Sequence, residues 1–298
     1  MKLERQTIDQ KKMKRKADKT MADNKRKATK NEKMSMKENE RLLIEKFKMI
    51  KPVEKACEEQ AKKRWKTVAK PLFSLGKLED AVIRMAGIRR KADFEIRKKG
   101  LLIFCADNGV VSEGVTQTGQ EVTAIVADNF TKCATSVCIM AQTAEVDLFP
   151  IDIGMVTDVP SVTHPEDKVM YGTKNMVEEP AMSREQAAQA ILVGIRKVKE
   201  LAEQEYDLIA TGEMGIGNTT TSSAVVSVLL DESVENVTGR GAGLSSEGLN
   251  RKICAIQRAI EKHRPDKEDA LRRECAIKKL RREQKLALLQ TWQARIAE

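Results

Sequence analysis

The sequence predicts an α/β fold, a parallel sheet flanked by helices, and three observations predict it. Aromatic residues make up 3% of the 298-residue chain against 41% hydrophobic residues. A core must therefore come mainly from Ala, Val, Ile, Leu and Met, which suits helices packed on a parallel sheet better than an aromatic-rich sandwich. Three short apolar runs end in polar turns: GLLIFCADNGV (100–110), VDLFPIDIGMV (146–156) and YDLIATGEMGIGN (206–218). Between them lie stretches of helical period, QEVTAIVADNFTKCATSVCIMAQTA (120–144) and SREQAAQAILVGIRKVKELAEQ (183–204). Strands alternating with helices of this length predict parallel β-α units with right-handed crossovers and helices on both faces.

Taken in order, residues 1–40 are dense in Lys, Met, Asn and Glu and hold no glycine or proline. They read as a charged helical or disordered arm. From Leu42 to Ile88, apolar and charged residues alternate at helical spacing, broken by Pro52 and Pro71; two or three helices are expected, forming a smaller helical part over 41–95. The α/β part follows over 96–269, a Rossmann-like sheet whose functional loops should line the carboxyl ends of the strands. The turns ADNG, DIGM and GEMGIGN all fall at such ends.

The formal charge of +10 invites a nucleic-acid reading, but the basic excess sits in the ends. Residues 1–50 hold 17 Lys and Arg against 8 Asp and Glu, residues 264–298 hold 10 against 6, and residues 51–263 hold 27 against 30. A basic DNA-reading face on the globular part is thus not expected, and stacking motifs for RNA are missing. None of the six cysteines forms a CxxC pair, so free thiols in a reducing cytoplasm are expected rather than a zinc site or a disulfide frame. No stretch approaches the roughly 18 uncharged apolar residues of a membrane helix, and no signal peptide is read.

ATGEMGIGNTTT (210–221) joins the third strand to a helix. Free backbone N–H groups at a helix start, with the dipole and small hydroxyls, make an anion site, and glycine lets a phosphate approach the main chain. The stretch is neither a Walker loop nor a dinucleotide GxGxxG; a purely structural turn is the alternative. A second glycine cluster, VTGRGAGLSSEGLNRKI (237–253), also enters a helix, capped by Ser245 or Ser246 with Glu247 in its first turn. Arg240 and Lys252 can supply charge to an anion there, or be surface basics of a loop. The two histidines, His164 and His263, lie in no metal or triad spacing, so the chemistry falls to carboxylates at or near strand ends: Glu213, Asp107, Asp152 and Glu121.

Together, KPLFSLGKLED (70–80), FCADNGVVSEGVTQTGQEVTA (104–124), VDLFPIDIGMVTD (146–158), TGEMGIGNTTTSSA (211–224) and TGRGAGLSSEGLNRKI (238–253) resemble the nicotinate-nucleotide–dimethylbenzimidazole phosphoribosyltransferase family. The resemblance implies transfer of the phosphoribosyl group of nicotinate mononucleotide to 5,6-dimethylbenzimidazole, giving α-ribazole 5′-phosphate and nicotinate for the cobalamin lower ligand. It implies a homodimer and needs neither metal nor cofactor, since the pyridinium leaving group is already activated. It carries Gly215, Gly217, Asn218, Thr219 and Thr220 over as the loop holding the nucleotide phosphate, with Gly239, Arg240, Gly241 and Lys252 beside the substrate. Glu213 becomes the catalytic carboxylate at the reacting ribose. Gln120 and the segment from Thr116 through Thr118 to Gly119 line the benzimidazole pocket, and Lys70, Ser74, Leu75 and Gly76 form a helix start near it. Thr118 and Gly119 stand where many members have Tyr-Pro, which puts the preferred base in question.

After His263-Arg264-Pro265-Asp266-Lys267-Glu268-Asp269 the resemblance expects a glycine-rich stretch and further β-α units carrying a general-base glutamate. Residues 270–298 instead read as an atypical basic helical tail, so the sheet is expected to be incomplete on its C-terminal side. The alternative function is therefore a catalytically inactive nucleotide-binding fragment of that family lacking the general base. A helical interaction protein acting through basic arms is a further alternative, opposed by the five motifs.

Overall fold

The computed structural model describes residues 38–39 and 41–263. The arm over 1–40, apart from residues 38 and 39, and the tail over 270–298 lie outside the described residues. The contacts group the chain into two compact units. The first comprises the described residues up to Asn108, Thr118–Thr173 and Ala181–Ile216; the second comprises Gly109–Gln117, Lys174–Pro180 and Gly217 onward.

In the first unit, the proline-broken stretch gives three helices: α1 over residues 41–48, α2 over Lys55–Thr67 and α3 over Lys77–Arg89. Pro52 falls between the first two, and Pro71 between the second pair, because proline removes a helix hydrogen bond and clashes with the preceding turn. α2 and α3 pack together. A Cβ built on Gly87 of α3 would meet Val53 Cγ1 at 2.4 Å and Glu58 Cγ at 2.7 Å, so only glycine lets the chain pass that close.

Three parallel strands follow, β1 over Lys99–Ala106, β2 over Val146–Gly154 and β3 over Leu208–Met214, in the order β2-β1-β3. This is the expected parallel sheet, and its register sets Phe104 beside both Ile151 and Glu213. α4 over Glu121–Thr131 and α5 over Ser136–Ala144 connect β1 to β2, and α6 over Arg184–Glu203 connects β2 to β3. The sequence reads 120–144 as one helical segment, whereas the structure forms two helices there. Cys133 breaks the run with φ 54°, and the Thr135 side chain accepts from Cys138 N to start the second helix. α6 begins as expected, with a reciprocal capping box between Ser183 and Gln186.

The sheet is covered on both faces, which is why its central strand reads as a nearly continuous apolar run. Ile103 and Cys105 of β1 join Ala124, Ala127 and Phe130 of α4 and Cys138 of α5 in one layer. On the opposite face Leu102, Ile151 and Leu201 pack with Phe104, Phe149 and Ile209.

The second unit is built on α7 over Asn218–Leu230, α8 over Val234–Val237 and α9 over Ser246–His263, with a 3-10 turn over Gly109–Glu113 contacting α9. α7 packs on α9; the buried residues of α7 are the small Thr220, Ser223 and Ser227. Small side chains let two helices approach closely, and two of these hydroxyls are satisfied by Val237 O at 2.9 Å and Glu232 O at 2.7 Å. Among the described residues, no helix is long and apolar enough to cross a membrane.

Candidate active site

The strand ends of the first unit carry the expected carboxylates. Glu213, next to last in β3, is an exposed residue, because β3 lies at the edge of the sheet among the described residues. Its carboxyl is nonetheless held partly out of water, and that desolvation pushes its pKa above the usual carboxylate range. Asp107, just past β1, is buried; one oxygen accepts from Val156 N at 2.8 Å and the other has no hydrogen-bond partner among the described residues. Between them Cys105 is buried, and burial, reinforced by Asp152, Glu213 and Asp107, pushes its thiol up to about 12. It is a core thiol, not a nucleophile.

Asp152 is spent on structure. Its first oxygen accepts from Gly154 N at 3.0 Å and Met155 N at 2.7 Å, and its second accepts from Thr163 Oγ1 at 2.6 Å and pairs with Lys168 at 3.0 Å. Glu121 is exposed in the first turn of α4, where a carboxylate complements the helix dipole.

The loop after β3 is fixed by close approach. A Cβ on Gly215 would lie 2.1 Å from Ala106 O, a backbone contact that no side chain can relieve. Asn108 Nδ2 donates to Ile216 O at 3.2 Å, Ile216 N donates to Thr123 Oγ1 at 3.1 Å, and Gln120 Nε2 donates to Asn108 O at 3.1 Å. Asn108 falls within the ADNG turn read from the sequence, whereas nothing local marks Thr123 as the acceptor for Ile216 N. Gln120, expected in the base pocket, here ties the ADNG turn to the start of α4.

The second unit carries most of the residues expected to hold a phosphate, Gly217 to Thr220 and Gly239 to Lys252. Gly217, at φ 91°, is the N-cap of α7, a left-handed conformation that favours glycine. Thr220 is fully buried and its hydroxyl has no hydrogen-bond partner among the described residues. Lys252 of α9 is also buried, at 1% exposure. Its ammonium donates to Thr219 Oγ1 at 2.8 Å and Gly239 O at 3.1 Å, and no carboxylate among the described residues pairs with it. Burial lowers its pKa. Gly241, at φ 56°, places a would-be Cβ 3.1 Å from Thr219 Oγ1 and 3.6 Å from Lys252 Nζ. A buried cation with no carboxylate partner among the described residues, a helix start and a buried hydroxyl thus lie together, an arrangement whose chemistry suits an anion.

A family model described as phosphoribosyltransferase matches residues 50–277 of this chain. The chain belongs to that phosphoribosyltransferase family. Its curated relatives include the nicotinate-nucleotide–dimethylbenzimidazole phosphoribosyltransferases of Clostridium tetani, 42% identical over 78% of this chain and 64% of the relative, and of Acetivibrio thermocellus, 43% identical over 77% and 66%. A crystal structure of CobT from Thermus thermophilus is similar at a TM-score of 0.65 and 35% identity, covering 70% of this chain and 62% of that one. The chain thus spans just under two thirds of the length of these relatives. The sequence-based recognition of this family agrees with these findings, as does the α/β fold.

In this family member, Arg240 braces its own loop, donating to Leu244 O at 2.8 Å and Ser246 Oγ at 3.2 Å. Ser245 rather than Ser246 caps α9, its Oγ accepting from Gly248 N at 3.1 Å. Gly239 has open space around it. Thr116 belongs to the second unit and Thr118 to the first, so the expected base-pocket segment divides between them. Lys70 is committed to Glu79 at 2.6 Å, and the same carboxylate accepts from Leu75 N at 3.1 Å, fixing the turn before α3. A cleft of about 550 Å³ along β2 is lined by Phe130, Phe149, Lys197 and Leu201 among others; it contains none of the catalytic or substrate-binding candidates read from the sequence.

Proposed function

We propose that this protein transfers the phosphoribosyl group of nicotinate mononucleotide to 5,6-dimethylbenzimidazole or a related base, for assembly of the cobalamin lower ligand. The observation that carries the reading is Lys252, a buried ammonium beside the start of α7 with no carboxylate partner among the described residues. A dianionic phosphate supplies the missing counter-charge, and the α7 N–H groups and the Thr220 hydroxyl supply hydrogen bonds. The names of the relatives support the choice of this phosphate ester and acceptor.

In the reaction a benzimidazole nitrogen forms a bond to the ribose anomeric carbon as the bond to the pyridinium nitrogen breaks. Nicotinate leaves with that electron pair, becoming neutral at nitrogen, and the proton of the second benzimidazole nitrogen is released to a base or to water. Positive charge grows on the ribose in the transition state, so a fixed carboxylate there stabilises it. Glu213 is assigned that task, four residues before the α7 N-cap. We assign the reaction to a homodimer in the cytoplasm; the five free thiols of the described residues suit a reducing compartment.

Titration calorimetry tests the reading with two ligands. Nicotinate mononucleotide should bind, and nicotinate riboside, which lacks the phosphate, should bind at least about 30-fold more weakly. Equal affinity for both would remove the phosphate cradle from the account.

A further inference from the structure

A hydrogen-bond network ties the 109–117 segment to the helix that carries Lys252. Glu113, at the end of the 3-10 turn, accepts from Asn175 Nδ2 at 2.7 Å on one oxygen and from Arg258 at 3.0 Å on the other. Arg251 Nε donates to Gly114 O at 3.2 Å, and Gln117 Nε2 donates to Gly243 O at 2.6 Å. Asn175 also donates to Ser112 Oγ at 3.2 Å. Every one of these residues lies in the second unit.

The arrangement on α9 is specific. Arg251 and Arg258 are seven residues apart, two helical turns, and so share one face. Lys252 and Ala255, Ile256 and Ala259 are buried on another. One helix therefore holds the cradle's cation and grips the 109–117 segment through two arginines. Gly114, at φ 66°, turns the chain between the two grips.

We propose that Glu113 is a positioning residue for recognition of the aromatic base: with Arg258 and Asn175 it fixes Val115, Thr116 and Gln117 at a set distance from the phosphate held beside Lys252. This rests on the transferase reading above. The Glu113 side chain is 18% exposed and that of Arg258 is 61% exposed. The arginine end of the pair is open to solvent, which limits what the pair adds to global stability, while the carboxylate, largely covered and bonded to Asn175 and Arg258, orders the segment around it. Holding two reactants in register is where such local order changes binding and rate.

The test uses the full chain with Glu113→Gln, Glu113→Ala and Arg258→Gln. Titration calorimetry reads affinity for nicotinate mononucleotide and for 5,6-dimethylbenzimidazole separately, and hydrogen exchange reads protection over 109–117. In Glu113→Ala the base should bind about five- to tenfold more weakly, its preference over unsubstituted benzimidazole should narrow, and the nucleotide affinity should stay within about twofold. Glu113→Gln, which keeps an acceptor for Asn175, should fall between Glu113→Ala and the parent, and Arg258→Gln should resemble it. Exchange should quicken over 110–117 while α7 and α9 stay protected. Equal losses for both ligands, or an unchanged base affinity, would overturn the proposal. If the parent binds neither ligand, the transferase reading fails by itself; unchanged exchange over 110–117 in Glu113→Ala would then still overturn the positioning role.

Discussion

Replacing Lys252 with Met removes the ammonium and keeps most of the volume, and its consequences differ in sign between the empty and the liganded protein. In the empty protein the ammonium is buried beside Thr219 Oγ1 and Gly239 O with no carboxylate among the described residues. Its pKa is lowered by that burial. A lysine depressed in the folded state binds fewer protons than in the unfolded chain between its folded pKa and the ordinary value of about 10.4. Stability therefore carries a penalty below that window and rises with pH through it. The Met variant should be as stable as the parent at neutral pH or more so, and should lack the alkaline rise. With nucleotide bound, the charge-assisted bonds to phosphate are lost, about 2–3 kcal/mol or roughly 30- to 150-fold in Kd. At a ligand concentration about 100 times the parent Kd, the parent gains about 2.7 kcal/mol; a roughly 100-fold weaker variant gains about 0.4 kcal/mol. A domain of this size shifts about 2–4 °C per kcal/mol, so a ligand-induced rise of about 5–10 °C should shrink to about 1–2 °C. Thermal unfolding with and without nicotinate mononucleotide reads all of this. An empty variant destabilised by more than about 2 kcal/mol, with the ligand-induced rise intact, would refute the reasoning.

Other outcomes follow from particular contacts. Gly215→Ala, which forces a Cβ against Ala106 O, should cost about 1–3 kcal/mol in denaturant unfolding, whereas Gly239→Ala, in open space, should stay within about 0.5 kcal/mol. Asp152→Asn leaves a buried knot of donors around Gly154, Met155, Thr163 and Lys168 with one acceptor too few, and should cost about 3–5 kcal/mol; a loss under about 1 kcal/mol contradicts it. Because desolvation raises the Glu213 pKa, the rate should fall as pH drops through a value above the usual carboxylate range, and Glu213→Gln should abolish that limb. The same raised pKa means the folded chain binds more protons in that window, so this group's contribution to stability falls as pH rises through it.

The strands are legible in the sequence because each is an apolar run closed by a polar turn, and the pairing of covered faces makes β1 apolar on both sides. The break at Cys133 is not, because KCAT contains neither glycine nor proline; it depends on a left-handed cysteine and a threonine cap. Gly217 can be read directly, since a glycine before a helix does a local job there, whereas the need for glycine at 215 comes from Ala106 O on a neighbouring strand. Lys252 is ambiguous between a buried and a surface role because burial of one side chain on α9 depends on α7 packing there, a contact between residues far apart in the chain. Glu213 looks buried from its apolar neighbours, yet exposure is set by which strands flank β3 in space. Glu113, Asn175 and Arg258 leave no local pattern at all, because a network joining three distant segments has no spacing to read.

The most direct test of the account is chemical. The purified chain would be incubated with nicotinate mononucleotide and 5,6-dimethylbenzimidazole, with mass spectrometry for α-ribazole 5′-phosphate and a Glu213→Gln control alongside. Product is expected from the parent, at a rate that Glu213→Gln lowers by roughly 10²-fold or more. Nucleotide binding with no product from the parent, or equal rates from parent and variant, would contradict it.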